Sequence, residues 1–211
     1  ECQSDTSLVV SRMTLATRDD ADEAIRGAYA AWPAWRDLPL EERAKLLDQL
    51  ADRLQADRFD LAAMQAFEVG KPWREADADV AEAVDFCRYY ARQALVELGP
   101  RKLGDIAGED NVMWYEGRGV AVIIAPWNFP LAILTGMATA ALVAGNTIIL
   151  KPAGQSSAIG FRLYERMIAA GFDPRVVQFV PGSGREIGNV LVDHPLVAQI
   201  EHRFGIREDI L

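Results

Sequence analysis

Four apolar runs, each divided from the next by a stretch of helical spacing, constrain this chain more than any other feature. The runs are residues 119–125, 147–150, 176–180 and 197–200; between them the spacing predicts helices over 131–144, 156–170 (ended by Gly171) and 185–192. Residues 119–125 lack the polar alternation of a half-exposed strand, so the strand they form is buried on both faces. Buried strands alternating with helices build a parallel sheet with helices packed on each side. The expected fold class is α/β, a doubly wound parallel sheet. Residues 130–150 are also about as long as a bilayer span of roughly 20 residues. The Gly145-Asn146 turn signal and the polar Thr135, Thr139 and Thr147 divide them into a short buried helix and a buried strand, so no membrane association is expected.

Residues 1–100 read as helices. Asp19-Asp20 opens one whose Ala21, Ala24, Ile25 and Ala28 share a face, and Pro33 is expected to close it. Pro39 and the carboxylates of Glu41 and Glu42 start a second, with Ala44, Leu47, Leu50, Ala51 and Leu54 as its apolar face. A third covers about 59–69 and stops at Gly70, a residue suited to a left-handed cap; a fourth runs from about Pro72 to about Leu98. Residues 112–115 predict a short strand.

Composition narrows the function classes. The 211 residues hold 22 Lys and Arg against 31 Asp and Glu, a net charge of −9, which disfavours a nucleic-acid surface. Two cysteines, Cys2 and Cys87, cannot form a disulfide framework, so a reducing, cytoplasmic setting is expected. The chain opens on Glu rather than Met and shows no basic stretch followed by an apolar one, so no secretory signal is read and its first residue is not equated with the start of a gene.

In doubly wound sheets ligands sit at the carboxyl ends of the strands. After the first run come Pro126-Trp127-Asn128-Phe129-Pro130, after the second Lys151-Pro152-Ala153-Gly154-Gln155, and after the third Pro181-Gly182-Ser183-Gly184, which open a helix. An amide donor, a cation and a Gly-rich helix N-terminus on one edge suit a phosphate-bearing cofactor beside a developing oxyanion. Each also has a plainer reading: Asn128 as a helix cap, Lys151 as a solvated strand end, Gly182 and Gly184 as a turn. The spacing Gly182, Gly184, Gly188 is one residue longer than the dinucleotide fingerprint. Cys87 falls on an apolar stripe with Val80, Val84 and Ala91, which predicts a buried, inert thiol. Cys2 sits in a polar terminal segment, His194 precedes Pro195 as a turn residue, and with His202 it makes no metal site.

Together these segments resemble the aldehyde dehydrogenase superfamily. Arg118-Gly119-Val120-Ala121-Val122-Ile123-Ile124-Ala125-Pro126-Trp127-Asn128-Phe129-Pro130 is similar to that family's first nucleotide-binding strand and turn, and Ala144-Gly145-Asn146-Thr147-Ile148-Ile149-Leu150-Lys151-Pro152 to its second. The helical segment from Phe67-Glu68-Val69-Gly70-Lys71-Pro72-Trp73 to Asp85-Phe86 most resembles the branch that oxidises L-glutamate γ-semialdehyde, the open form of 1-pyrroline-5-carboxylate, in proline breakdown. The resemblance implies a Rossmann-like NAD-binding domain over 119–200, preceded by the helical segment, with 112–120 as part of an oligomerisation hairpin. It implies NAD as cofactor, an aldehyde as small-molecule substrate and a homo-oligomer for the full-length enzyme. It further implies that Asn128 donates to the substrate oxyanion, that Lys151 binds the adenosine ribose, that Ala125, Pro126 and Trp127 form a wall beside the cofactor, and that Gly184 lets the backbone approach the adenine end.

The family's reactive cysteine, its carboxylate base and a Phe-Thr-Gly-Ser turn find no match here, and residues 201–211 depart from its pattern. The expectation is an incomplete nucleotide-binding domain without the catalytic domain, inactive alone. Gly154 stands where the family usually has a Glu that helps hold the ribose. The competing class is non-catalytic: a truncated remnant, or a nucleotide-binding or interaction module. DNA beyond Leu211 that encodes the missing turn and cysteine would separate the two.

Overall fold

A computed structural model of the chain describes Cys2 and residues 5–202. The helical half holds α1 (Arg18–Arg36), α2 (Leu40–Ala56), α3 (Arg58–Val69) and α4 (Trp73–Glu97). Two short strands follow, β1 (Arg101–Lys102) and β2 (Val112–Met113), paired antiparallel. The remainder alternates: β3 (Val120–Ile124), α5 (Ala132–Val143), β4 (Thr147–Lys151), α6 (Ser157–Ala170), β5 (Val177–Phe179), α7 (Gly184–Asp193) and β6 (Val197–His202). The four longer strands form one parallel sheet in the order β5-β4-β3-β6, which bears out the doubly wound α/β expectation. Among the described residues no helix is long and apolar enough to cross a membrane.

The strands alternate side chains between two apolar cores, as the pleat requires. Ala121, Ile123, Ile148 and Leu150 face the larger one, made with Leu47, Leu50 and Leu54 of α2, Val80, Val84 and Cys87 of α4, and Leu134 and Leu142 of α5. Val120, Val122 and Ile149 face the smaller one, closed by Ala21, Ile25 and Ala28 of α1 and Ile187 and Leu191 of α7. The first helix is thus a wall of the sheet, although it lies in the segment that the sequence groups apart.

Three expectations change in the structure. Pro33 does not close α1, which continues to Arg36. The proline gives up its bond to the Tyr29 carbonyl, but the last turn is held from outside: Trp35 is buried and its Nε1 donates to the Leu142 carbonyl at 3.1 Å. The strand expected over 112–115 is cut to Val112–Met113, and its partner Arg101–Lys102 had no sequence signal. The helix expected from Ser156 begins at Ser157, after a 3-10 turn over Gly154–Ser156.

Two glycines are fixed by space. A Cβ on Gly117 would lie 2.1 Å from the Gly145 carbonyl oxygen, and Gly145 itself has φ of 91°. This backbone crossing brings Asn146 under the start of β3, where its Oδ1 accepts from the N–H groups of Arg118 (2.6 Å) and Gly119 (3.2 Å) and its Nδ2 donates to the Ala141 carbonyl.

The carboxyl end of α5 is met by a buried cation. Arg43 of α2 donates to the carbonyls of Val143 (3.0 Å), Arg36 (2.9 Å) and Leu38 (2.5 Å), so one guanidinium satisfies the ends of α1 and α5 together. Replacement by methionine keeps the stem and takes the donor from all three carbonyls; the Val143 bond is buried, and a buried acceptor left without a donor costs about 1–3 kcal/mol, with smaller losses at the two half-buried bonds. Arg43→Met is therefore expected to lose at least about 2 kcal/mol in urea unfolding, whereas Arg53→Met on the exposed face of the same helix changes it by less than about 0.5 kcal/mol. Equal losses in both variants would remove this role from Arg43.

Candidate active site

The parallel register lines up the strand ends. Ile124 of β3 is paired with Lys151 of β4 and with His202 of β6, while Leu150 is paired with Phe179 of β5. The chain leaving β3 stays with β4 for one more residue, since the Ala125 N–H donates to the Lys151 carbonyl at 3.4 Å; the Val180 N–H likewise donates to the Leu150 carbonyl at 2.9 Å. The segments that follow β3, β4 and β5 consequently emerge along one edge, as the sequence expects.

Along this edge Ala125 is buried and Pro126 half-buried, while Trp127, Asn128 and Phe129 are exposed. Asn128 does not cap the following helix. Its side chain is available at the surface, and the capping is done by Asp79 of α4, whose Oδ2 accepts from the N–H groups of Leu131 (3.2 Å) and Ala132 (3.4 Å). Lys151 is buried rather than solvated, at the last position of β4. Gly154 is open: a Cβ built on it meets no heavy atom within 4 Å. It borders a groove of about 390 Å³ together with Val10, Met13, Leu15, Glu68 and Ser157. Gly182 is packed so closely that a Cβ would lie 2.5 Å from Ile187 Cδ1. Gly184 is the first residue of α7, where the Ser183 side chain accepts from the Glu186 N–H at 3.2 Å.

Sequence reasoning missed the polar groups beneath the edge. Lys71, between α3 and α4, donates from Nζ to the Asn128 main-chain carbonyl at 3.0 Å, lies 3.4 Å from Asp79 Oδ1 and sits 4.1 Å from the centroid of the Phe129 ring. Glu68 at the end of α3 accepts from Ala158 (2.7 Å) and Ile159 (2.9 Å), the first turn of α6. Burial pushes both the Glu68 and the Asp79 carboxyl above the usual carboxylate range; Lys71 and the two helix N–H groups oppose that rise at Asp79. A signal existed in the sequence. Asp79 stands among Ala76, Val80 and Ala83 on the buried stripe of α4, and a carboxylate there needs partners from elsewhere.

Both cysteines are buried. Desolvation drives the Cys87 thiol well above its ordinary range, as its apolar stripe predicts. Cys2, for all its polar neighbours in sequence, packs beside Leu61, Met64 and Phe67 of α3 in a groove of about 630 Å³. His194 caps α7 in its turn, with Nδ1 accepting from the Leu196 N–H and Nε2 3.1 Å from Asp22 Oδ1. Among the described residues no group of His, Cys, Asp or Glu is gathered to hold a metal ion. Glu201 and His202 complete β6, and residues 203–211 of the unmatched tail lie outside the described residues.

Residues 2–202 match the model of the aldehyde dehydrogenase family. The chain belongs to that family. A 1-pyrroline-5-carboxylate dehydrogenase of Bacillus pumilus (strain SAFR-032) is 42% identical over 192 residues, 91% of this chain. Solved structures agree in fold. Proline utilization A from Bdellovibrio bacteriovorus, inactivated by N-propargylglycine, has a TM-score of 0.92 at 46% identity and covers 94% of this chain, which spans 21% of that one. The 1-pyrroline-5-carboxylate dehydrogenase from Thermus with bound NAD gives 0.86 at 44% identity over 89% of this chain and 36% of its own. The chain spans 37% of the length of the Bacillus pumilus relative. Within this family member, the edge that carries Asn128 and Lys151 is buttressed from below by carboxylates of the helical half.

The raised Glu68 carboxyl gives a pH test. A proton held more tightly in the folded state than in the unfolded chain contributes stability that is fully present below the ordinary Glu range and lost as pH rises through the raised value. Glu68→Gln has no such dependence. The stability lead of the wild type over Glu68→Gln is expected to shrink in urea unfolding as pH rises above the ordinary Glu range; a lead that grows with pH would reverse the assignment.

Proposed function

We propose that this chain carries the cofactor side and the oxyanion side of an NAD-dependent oxidation of L-glutamate γ-semialdehyde to L-glutamate. The observation that carries the reading is the turn after β3, which leaves Asn128 exposed, together with the pairing of Ile124 at the end of β3 with Lys151 at the end of β4. The names of the relatives support the substrate. The Thermus relative's bound NAD supports the cofactor.

The residues present fit the cofactor. Lys151 at the strand end would donate to the adenosine ribose, Ala125, Pro126 and Trp127 would wall the nucleotide, and Gly184 at the start of α7 would let the backbone approach the adenine end. The exposed indole of Trp127 and the open space at Gly154 leave room for it. NAD, when bound, accepts a hydride from the substrate carbon. Attack on the aldehyde carbon builds negative charge on oxygen, and the Asn128 amide would donate to that oxygen without itself titrating. Removing one such donor costs about 10²–10³ in rate. We also assign the 112–120 segment to an oligomerisation hairpin, the assembled enzyme to a homo-oligomer and its setting to the cytoplasm. The exposed Val112, Trp114 and Tyr115 support the hairpin.

A second reading, a nucleotide-binding module without catalysis, is favoured by the two buried thiols. This chain alone is expected to produce no NADH from NAD and glutamate semialdehyde in an absorbance assay. Turnover abolished by Cys87→Ser would show that the Cys87 thiol reaches substrate.

Lys151 and the α7 end leave only a few contacts to offset the ligand's lost freedom of motion, roughly 4–15 kcal/mol. NAD binding on the order of millimolar, about −4 kcal/mol, is expected from calorimetry. A Cβ at Gly154 meets no heavy atom, and Gly154→Glu is expected to tighten NAD more than its 2′-phosphorylated analogue, because a carboxylate accepts from a ribose hydroxyl and repels a phosphate. Micromolar NAD binding by the unaltered chain, or an unchanged preference in the variant, would overturn the site.

A further inference from the structure

Lys71 is a buried cation that no part of the proposed chemistry uses, and its three neighbours all bear on one turn. Its ammonium donates to the Asn128 carbonyl at 3.0 Å, sits 4.1 Å from the Phe129 ring centroid and lies 3.4 Å from Asp79 Oδ1. Asp79 in turn accepts from Leu131 and Ala132, the N-terminus of α5. The turn over 126–130 is therefore gripped from both sides: by Lys71 at its middle and by Asp79 at its exit. Both side chains come from the helical half, 57 residues from Asn128 in the case of Lys71. An ammonium has three donors and no fixed plane, so it can serve a carbonyl and a carboxylate together while its charge lies against an aromatic face.

We infer that Lys71 and Asp79 are positioning residues for Asn128: the pair sets the backbone of the turn and thereby the direction in which the Asn128 amide points. The inference rests on the proposed role of Asn128. An oxyanion donor works only if it is oriented before the charge appears, and a displacement of about 1 Å can cost about 10²-fold in rate. Asn128 itself is exposed at the surface. The constraint enters through its backbone, and the Lys71–carbonyl bond is its fixed point.

The sequence offers a direct probe. Asn128-Phe129 is the one Asn-Phe pair in the chain, so labelling asparagine carbonyls with carbon-13 and phenylalanine with nitrogen-15 gives a single carbonyl–amide correlation by NMR, that of Asn128. Lys71→Met should move this carbonyl signal upfield and broaden it, because the hydrogen bond is lost. The same variant leaves Asp79 buried without its cation, so its melting temperature should fall. In Lys71→Met/Asp79→Asn the neutral amide still accepts from the α5 N-terminus, so the melting temperature should recover toward the wild type. The Asn128 signal should stay displaced. Lys71→Arg, which keeps a cation in reach of the carbonyl, should return the signal toward its original position. An unmoved signal in Lys71→Met or in the double variant would overturn the inference, as would a signal that recovers together with the melting temperature, since Asn128 would then merely follow the fold. The readout is independent of what Asn128 does chemically: a wrong role for Asn128 leaves the tether intact, whereas a wrong tether leaves the signal in place.

Discussion

Helix α5 is apolar on every side and must end somewhere. Its buried residues run from Ala132 to Val143, it joins the two central strands, and its own N-cap residue, Leu131, offers no capping side chain. The unpaired N–H and carbonyl groups of such a helix cannot be left in a dry interior. The helical half supplies what is missing with the right signs: the Asp79 carboxylate at the positive end, the Arg43 guanidinium and the Trp35 indole at the negative one. Without the Asp79 and Arg43 contacts the strand–helix–strand unit at the centre of the sheet would bury orphaned polar groups, whereas the Leu142 carbonyl that Trp35 meets also accepts from the Gly145 N–H.

The same arrangement shapes the edge where a ligand would lie. Glu68 occupies the first turn of α6 as Asp79 occupies that of α5. In many sheets of this class such helix ends receive phosphate. In this chain two of them are already filled by carboxylates, which would repel an anion. The N-terminus of α7 is capped instead by its own Ser183. The helical half thus does more than cover the sheet. It holds the turn that presents Asn128 and decides which helix ends remain for a ligand.

Much of this was legible residue by residue. Ala44, Leu47, Leu50, Ala51 and Leu54 are buried as their spacing predicts, because one face of a helix can be counted along the chain. Gly70 and Gly171 end their helices with positive φ, since the cap needs a backbone that other residues avoid. Cys87 is inert for a reason visible in its apolar neighbours. Pro33 misled because a helix end depends on what holds the last turn, and Trp35 is held by a carbonyl 107 residues away. The plainer reading of Lys151 as a solvated strand end fails because the residue is buried at the last position of β4.

The sequence by itself determined the longer elements, the parallel sheet and the family, because these follow from periodicity and from contiguous residues such as Ala125 to Pro130 and Gly145 to Pro152. It placed Asn128, Lys151 and Gly184 each at the end of a strand or the start of a helix. The tertiary structure alone decided which charges are buried and against what. Glu68 and Arg43 look like ordinary surface residues of amphipathic helices, yet each is buried where a helix end from the other half of the chain comes to meet it; Asp79 meets another such end from its apolar stripe, and Lys71, in the link between α3 and α4, is buried against the turn that carries Asn128. A charge pays for its desolvation only with partners in hand, and those partners lie far away in sequence, where no local pattern records them.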